Sequence, residues 1–141
     1  MEAKACFMRG KDEWETPEDF FEELDREFHF DLDPCASEEN HKCENYLTYN
    51  GLQEDWGGHR VYCNPPYSEI AKWVEKGFRE SRKDHTLVVM LIPSRTDTRW
   101  FHNFIYGRSE VRFVKGRLRF GGSKMNAPFP NMVVIFRGAY A

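Results

Sequence analysis

The sequence predicts one α/β domain with helices on both faces of a sheet, and three observations carry that expectation. Thr86 to Ile92 is an unbroken apolar, β-branched run, the makeup of a central strand covered on both sides. Before it, apolar residues recur twice at helical spacing, within Glu18 to Phe28 and within Ser68 to Arg82. Strand and helix patterns alternate through the middle of the chain, while its end alternates like an antiparallel pair.

The elements follow in order. Residues 1–13 are a loose polar lead-in, and residues 14–141 form a single domain with no separate target-recognition domain. Thr16 is placed to cap the first helix, with Pro17 in its first turn and Phe20, Phe21, Leu24 and Phe28 on its apolar face. His29 to Asp33 tends towards a short strand, as does Tyr46 to Tyr49. Arg60 to Cys63 is a strand that runs straight into Asn64-Pro65-Pro66-Tyr67. The second helix has Ser68 as cap and Ile70, Trp73, Val74 and Phe78 as its buried face. Ser94 to Ile105 is a loop and helix. Glu110 to Val114 is a strand expected to form a hairpin with Arg117 to Phe120, and Asn131 to Phe136 is the last strand.

Composition narrows the function classes. The 141 residues are 40% hydrophobic and 30% charged, which suits a folded globular chain. The absence of a long apolar run excludes a membrane span, and the lack of an apolar leader at the N-terminus points to the cytoplasm. The four cysteines, Cys6, Cys35, Cys43 and Cys63, then read as free thiols. Cys35, Cys43 and His41 lack the spacing of a zinc site, so no metal is expected. Net charge is −3, but it is unevenly spread. Residues 1–70 carry 6 Lys+Arg against 18 Asp+Glu, and residues 71–141 carry 14 against 5. Either the second half holds a polyanion, or the halves neutralise one another within the fold.

The chemistry centres on Asn64-Pro65-Pro66-Tyr67. Ligands bind at the carboxyl ends of strands in open α/β sheets. Two prolines fix the backbone and remove two N–H donors, leaving acceptors on the Asn64 side chain and the backbone carbonyls. Tyr67 adds a planar ring. Acceptors beside a ring suit a flat heterocycle that bears an amino group. Arg95, Arg99, Arg117, Arg119 and Lys124, interleaved with Trp100, Phe120 and Phe129, suit phosphate contact and base stacking.

Further segments match a known pattern: Trp14-Glu15-Thr16-Pro17, Phe30-Asp31-Leu32-Asp33-Pro34-Cys35-Ala36, Leu91 to His102, Lys115 to Gly122 and Ala127 to Pro130. With Asn64-Pro65-Pro66-Tyr67 they resemble the compact phage-encoded DNA N-6-adenine methyltransferase (Dam) family, from about residue 12 to residue 137. The resemblance implies a Rossmann-like methyltransferase fold with a reduced, mostly parallel sheet and an antiparallel C-terminal end. It also implies S-adenosyl-L-methionine as methyl donor, DNA with a flipped-out adenine as partner, and a host-cell cytoplasmic setting if phage-encoded. By position, Asn64, Pro65, Pro66 and Tyr67 would be catalytic. Trp14, Thr16, Pro17, Asp33, Pro34, Cys35 and Asp55 would hold the cofactor. The Gly-x-Gly that usually follows the first strand is missing; the chain has Cys35-Ala36-Ser37-Glu38. Asn-Pro-Pro-Tyr also serves methylation of RNA adenine and of glutamine amides, cytosine N4 is a further candidate substrate, and a non-catalytic nucleic-acid-binding module derived from such an enzyme is a further alternative.

Overall fold

The computed structural model describes residues 15–119 and 126–141. The lead-in, Trp14, Cys6, Phe120 and Lys124 lie outside the described residues. Among the described residues, two α-helices and four strands follow one another as α1 (Glu18–Phe28), β1 (Arg60–Cys63), α2 (Ile70–Ser81), β2 (Leu87–Pro93), β3 (Glu110–Phe113) and β4 (Asn131–Arg137). The sheet order is β1-β2-β4-β3. β1 and β2 are parallel, and β4 is antiparallel to both its neighbours. Three of the four strands therefore share one direction. Because the reversed strand sits between β2 and β3, two of the three ladders are antiparallel, and the sheet is mixed rather than mostly parallel.

The period of two along each strand sorts the core into two halves. Tyr62, Leu87, Val89, Leu91, Val133 and Ile135 face α1, where they meet Phe21, Leu24 and Phe28. Val61, Cys63, Val88, Met90, Ile92, Val134 and Phe136 face α2, where they meet Trp73 and Val74. All of β2 is buried, as its composition requires. Gly77 lets α2 settle on β2: a Cβ there would lie 2.8 Å from the Met90 sulfur. Gly51 permits a second close approach, since a Cβ there would overlap the Pro34 carbonyl oxygen.

Several local expectations change. Thr16 does not cap α1; its hydroxyl hydrogen-bonds the Tyr62 hydroxyl at 2.6 Å, and Pro17 occupies the cap position. Ser68 does not cap α2 either, because Tyr67–Glu69 form a 3₁₀ turn that leads into the helix. The segments around Leu32 and Tyr46 are reduced to single bridges, Leu32 to Val61 and Asp33 to Tyr46. Phe101–Ile105 is one π-helical turn. β3 does not pair with Arg117 to Arg119. It pairs with β4, Val111 opposite Val134, because that contact joins β3 to the buried sheet.

Candidate active site

The carboxyl ends of β1, β2 and β3 and the start of β4 all lie at one end of the sheet, by strand direction. The Leu32 segment runs parallel to β1, so Asp33 and Pro34 leave it at that same end. Topology thus collects four separate stretches there: the Asp33 turn, Asn64 to Tyr67, the loop from Ser94, and the described residues that directly follow β3 and precede β4.

Asn64 directly follows β1 and is 5% exposed, with Pro65 and Pro66 buried behind it. Pro66 is extended, at φ −66° and ψ 141°, and its carbonyl accepts the Glu69 N–H at 3.4 Å. No hydrogen bond among the described residues uses the Pro65 carbonyl. The turn thus spends the second proline carbonyl on starting the helix and leaves the first available. Tyr67 is half-buried, and the Phe129 ring meets it edge-on, with centroids 4.9 Å apart at 84°. That contact fixes the tilt of Tyr67 and leaves the ring able to stack.

Beside Asn64 lies a small recess of about 10 Å³, lined by Thr16, Asp33, Cys35, Asn40, Lys42, Tyr62 and Asn64. The structure therefore brings Thr16, Asp33 and Cys35 next to Asn64, although 48 positions separate Thr16 from Asn64 in the chain. Asp33 is 3% exposed. Its carboxylate accepts the backbone N–H of Cys35 at 3.2 Å and of Lys42 at 2.9 Å, and it forms no ion pair among the described residues. Burial pushes its carboxyl up to about 7, against the lowering effect of those two N–H groups. Tyr62 is pushed above the ordinary phenol range by burial, so its hydroxyl stays protonated against Thr16. Cys35, Cys43 and Cys63 are buried, and burial drives Cys43 to about 12.

Other expected site residues are placed differently. Pro17 begins α1, and Pro34 is buried in the turn after Asp33. Asp55 precedes β1 and so stands at the opposite end of that strand from Asn64. There it pairs with Lys83 at 2.7 Å, which with the Gly57 N–H lowers its carboxyl to about 2. It anchors the base of the sheet and does not approach the recess. Trp100 is 8% exposed and belongs to the α2-side core, because the chain turns inward after β2. Arg95, Arg99, Arg117 and Arg119 are exposed at the site end of the sheet. Arg95 and Arg99 form no ion pair among the described residues. Among the described residues, Arg117 donates to the Ala127 carbonyl at 3.5 Å. Part of the charge imbalance is nevertheless internal: Arg112 of the basic half binds Glu27 of the acidic half through both terminal nitrogens, at 2.6 and 2.8 Å.

Sequence reasoning missed Asn40, Lys42 and Tyr62. Tyr62 reads as one more strand aromatic. Asn40 and Lys42 lie in a weakly patterned stretch with no periodicity, and only the return of that stretch to Asp33 gives them a role.

A family model described as DNA N-6-adenine-methyltransferase (Dam) matches residues 6–138 of the chain. A protein of Haemophilus phage HP1 (strain HP1c1) named DNA N-6-adenine-methyltransferase is 35% identical over 108 residues, covering 74% of this chain and 62% of that protein. A protein of Escherichia phage T1 with the same name is 32% identical over 112 residues, covering 77% of this chain and 47% of that protein. The chain thus aligns with about half to three-fifths of the length of these curated relatives.

Proposed function

The chain belongs to the DNA N-6-adenine-methyltransferase (Dam) family, and from that premise we propose that it methylates the exocyclic N6 amine of adenine in DNA. The observation that carries this reading is the position of Asn64: buried at the end of β1, followed by the Pro65 carbonyl and the Tyr67 ring, and adjoining the Asp33 recess. We read the sheet as a reduced Rossmann-like methyltransferase fold, which the shared end of its carboxyl termini supports.

We assign the amino-acid end of S-adenosyl-L-methionine to the Asp33 turn, where the buried carboxylate accepts backbone N–H groups and Thr16 and Cys35 stand beside it. When bound, that cofactor supplies an electrophilic sulfonium methyl group. The chain does the rest. The side-chain oxygen of Asn64 and the Pro65 carbonyl accept the two N–H groups of N6. That pull localises the nitrogen lone pair, which adenine otherwise delocalises into its ring. It favours the tetrahedral, positive nitrogen of the transition state over the planar amine. No side-chain nucleophile is needed, and much of the acceleration is positional. Tyr67, braced by Phe129, stacks on the adenine, which must leave the duplex to reach Asn64. Arg95, Arg99, Arg117 and Arg119 hold the flanking phosphates. No helix among the described residues is long and apolar enough to cross a membrane.

The test is nucleoside mass spectrometry of DNA from cells lacking endogenous adenine methylation and producing this chain. N6-methyladenine is expected, absent with Asn64→Ala. Methylated cytosine or methylated RNA adenine in its place would overturn the substrate assignment.

A further inference from the structure

β3 is the last strand of the sheet, and among the described residues no strand pairs with its outer side. The Val114 N–H donates to the Asn131 carbonyl at 3.0 Å, and Phe113 stands opposite Met132. Hydrogen-bonded pairs alternate along an antiparallel ladder. Glu110 and Arg112 therefore turn their backbone groups towards β4, and Val111 and Phe113 turn theirs outward. The side chains of Val111 and Phe113 border a groove of about 570 Å³ on the α2 side of the sheet, lined also by Phe101, Ile105, Tyr106 and Ser109. Phe113 is 67% exposed and Tyr106 68%. An open strand edge beside an exposed apolar groove is suited to receive another strand. The other face of the same edge is charged: Arg112 pairs with Glu110 and reaches back to Glu27 of α1.

We propose that this edge pairs with the same edge of a second copy of the chain, in a twofold dimer whose sheet runs unbroken through both copies. Charge selects the register. With Val111 opposite the partner's Val111, the outward-facing backbones exchange both hydrogen bonds, and Glu110 stands opposite the partner's Arg112. Each such pair joins opposite charges at the closer, non-hydrogen-bonded spacing. A shift of two residues one way sets Arg112 against the partner's Arg112, and the other way sets Glu110 against the partner's Glu110; both repel. The favoured register also places Phe113 opposite the partner's Ser109. The exposed ring of each copy thus enters the other copy's groove at its Ser109 end, beside Tyr106. Twofold symmetry repeats every contact, so one self-complementary patch suffices. Because the pairing reverses strand direction, the two Asn64 sites point to opposite ends of the dimer and both stay open to DNA.

Analytical ultracentrifugation of the intact chain, from about 1 μM to about 1 mM, should show monomer giving way to dimer. Phe113→Asp changes an exposed side chain and should weaken the dimer at least about tenfold. Glu110→Arg and Arg112→Glu should each be monomeric alone, since each sets like charges opposite one another at both pairs. An equimolar mixture of these two variants should dimerise, because every pair then joins Arg to Glu. Restoration by mixing cannot arise from damage to either fold, and Phe113→Asp keeps the test open where a charge variant folds poorly. A chain that stays monomeric to about 1 mM, a dimer unchanged by Phe113→Asp, or folded charge variants that fail to associate when mixed, overturns the proposal. Weakened duplex DNA binding by Phe113→Asp, in a chain that is monomeric throughout, assigns the groove to DNA and overturns the dimer as well.

Discussion

Replacing Asp33 by asparagine should remove the pH dependence that this residue imposes on stability. A carboxyl moved from 3.8 in the unfolded chain to about 7 in the folded one costs the folded state about 4 kcal/mol once fully ionised. The sign follows from proton counting. Between those two values the folded state holds one proton more than the unfolded state, so unfolding free energy falls by about 1.4 kcal/mol per pH unit as pH rises. The favourable protonated state is complete below 3.8 and is lost as pH climbs through about 7. The amide in the Asp33→Asn variant has no such proton to lose. It does lack an acceptor, because both carboxylate oxygens take backbone N–H groups and an amide offers one oxygen only. That loss costs about 1–3 kcal/mol at every pH. Without ligand, the stability of the variant relative to wild type should therefore rise by about 2–3 kcal/mol between pH 5 and pH 8, and the variant should equal or exceed wild type near pH 8. Urea unfolding at each pH from about 5 to 8 measures the difference, with other titrating groups cancelling between the two proteins. Parallel stability curves, with a constant gap across that range, would refute the reasoning.

Four further outcomes are expected. Asn64→Ala should lower methyl transfer by at least about 100- to 1,000-fold, the loss typical of a transition-state hydrogen bond, with S-adenosylhomocysteine affinity unchanged in calorimetry; near-normal turnover sinks the mechanism. Gly51→Ala should destabilise the protein by about 2–4 kcal/mol in thermal or urea unfolding, because its Cβ runs into the Pro34 carbonyl oxygen and backbone cannot yield as a side chain does. Arg95→Glu and Arg117→Glu should each flatten the dependence of DNA affinity on salt by about one counterion, and an unaltered slope would remove those residues from the phosphate contacts. Tyr67→Ala should weaken productive DNA binding by about 1–3 kcal/mol while Tyr67→Phe stays mild, with 2-aminopurine fluorescence at the target position reporting the flipped base. Methylation of a duplex that shows no fluorescence change near the modified adenine contradicts that role.

The sequence alone determined what short-range pattern encodes. α1 occupies Glu18–Phe28, the expected span, and the cores of α2, β2 and β4 follow their apolar periodicities. Asn64 to Tyr67 stands between a strand and a helical turn, as its prolines and neighbours require. Each of these depends on residues a few positions apart, so local spacing suffices. Tertiary structure decided the rest, because strand pairing and buried polar contacts join residues far apart in the chain. β3 had two partners of suitable composition, and the buried β4 outcompeted the nearer Arg117 segment. Thr16 looked like a helix cap until Tyr62, 46 positions away, took its hydroxyl. Asp55 precedes the right strand but stands at its wrong end, where Lys83 holds it. Lys42 reaches the Asp33 recess through a return of irregular chain. A stretch without regular repeat carries no periodic signal, and its position is set only by the backbone N–H and carboxylate that bind when the fold closes.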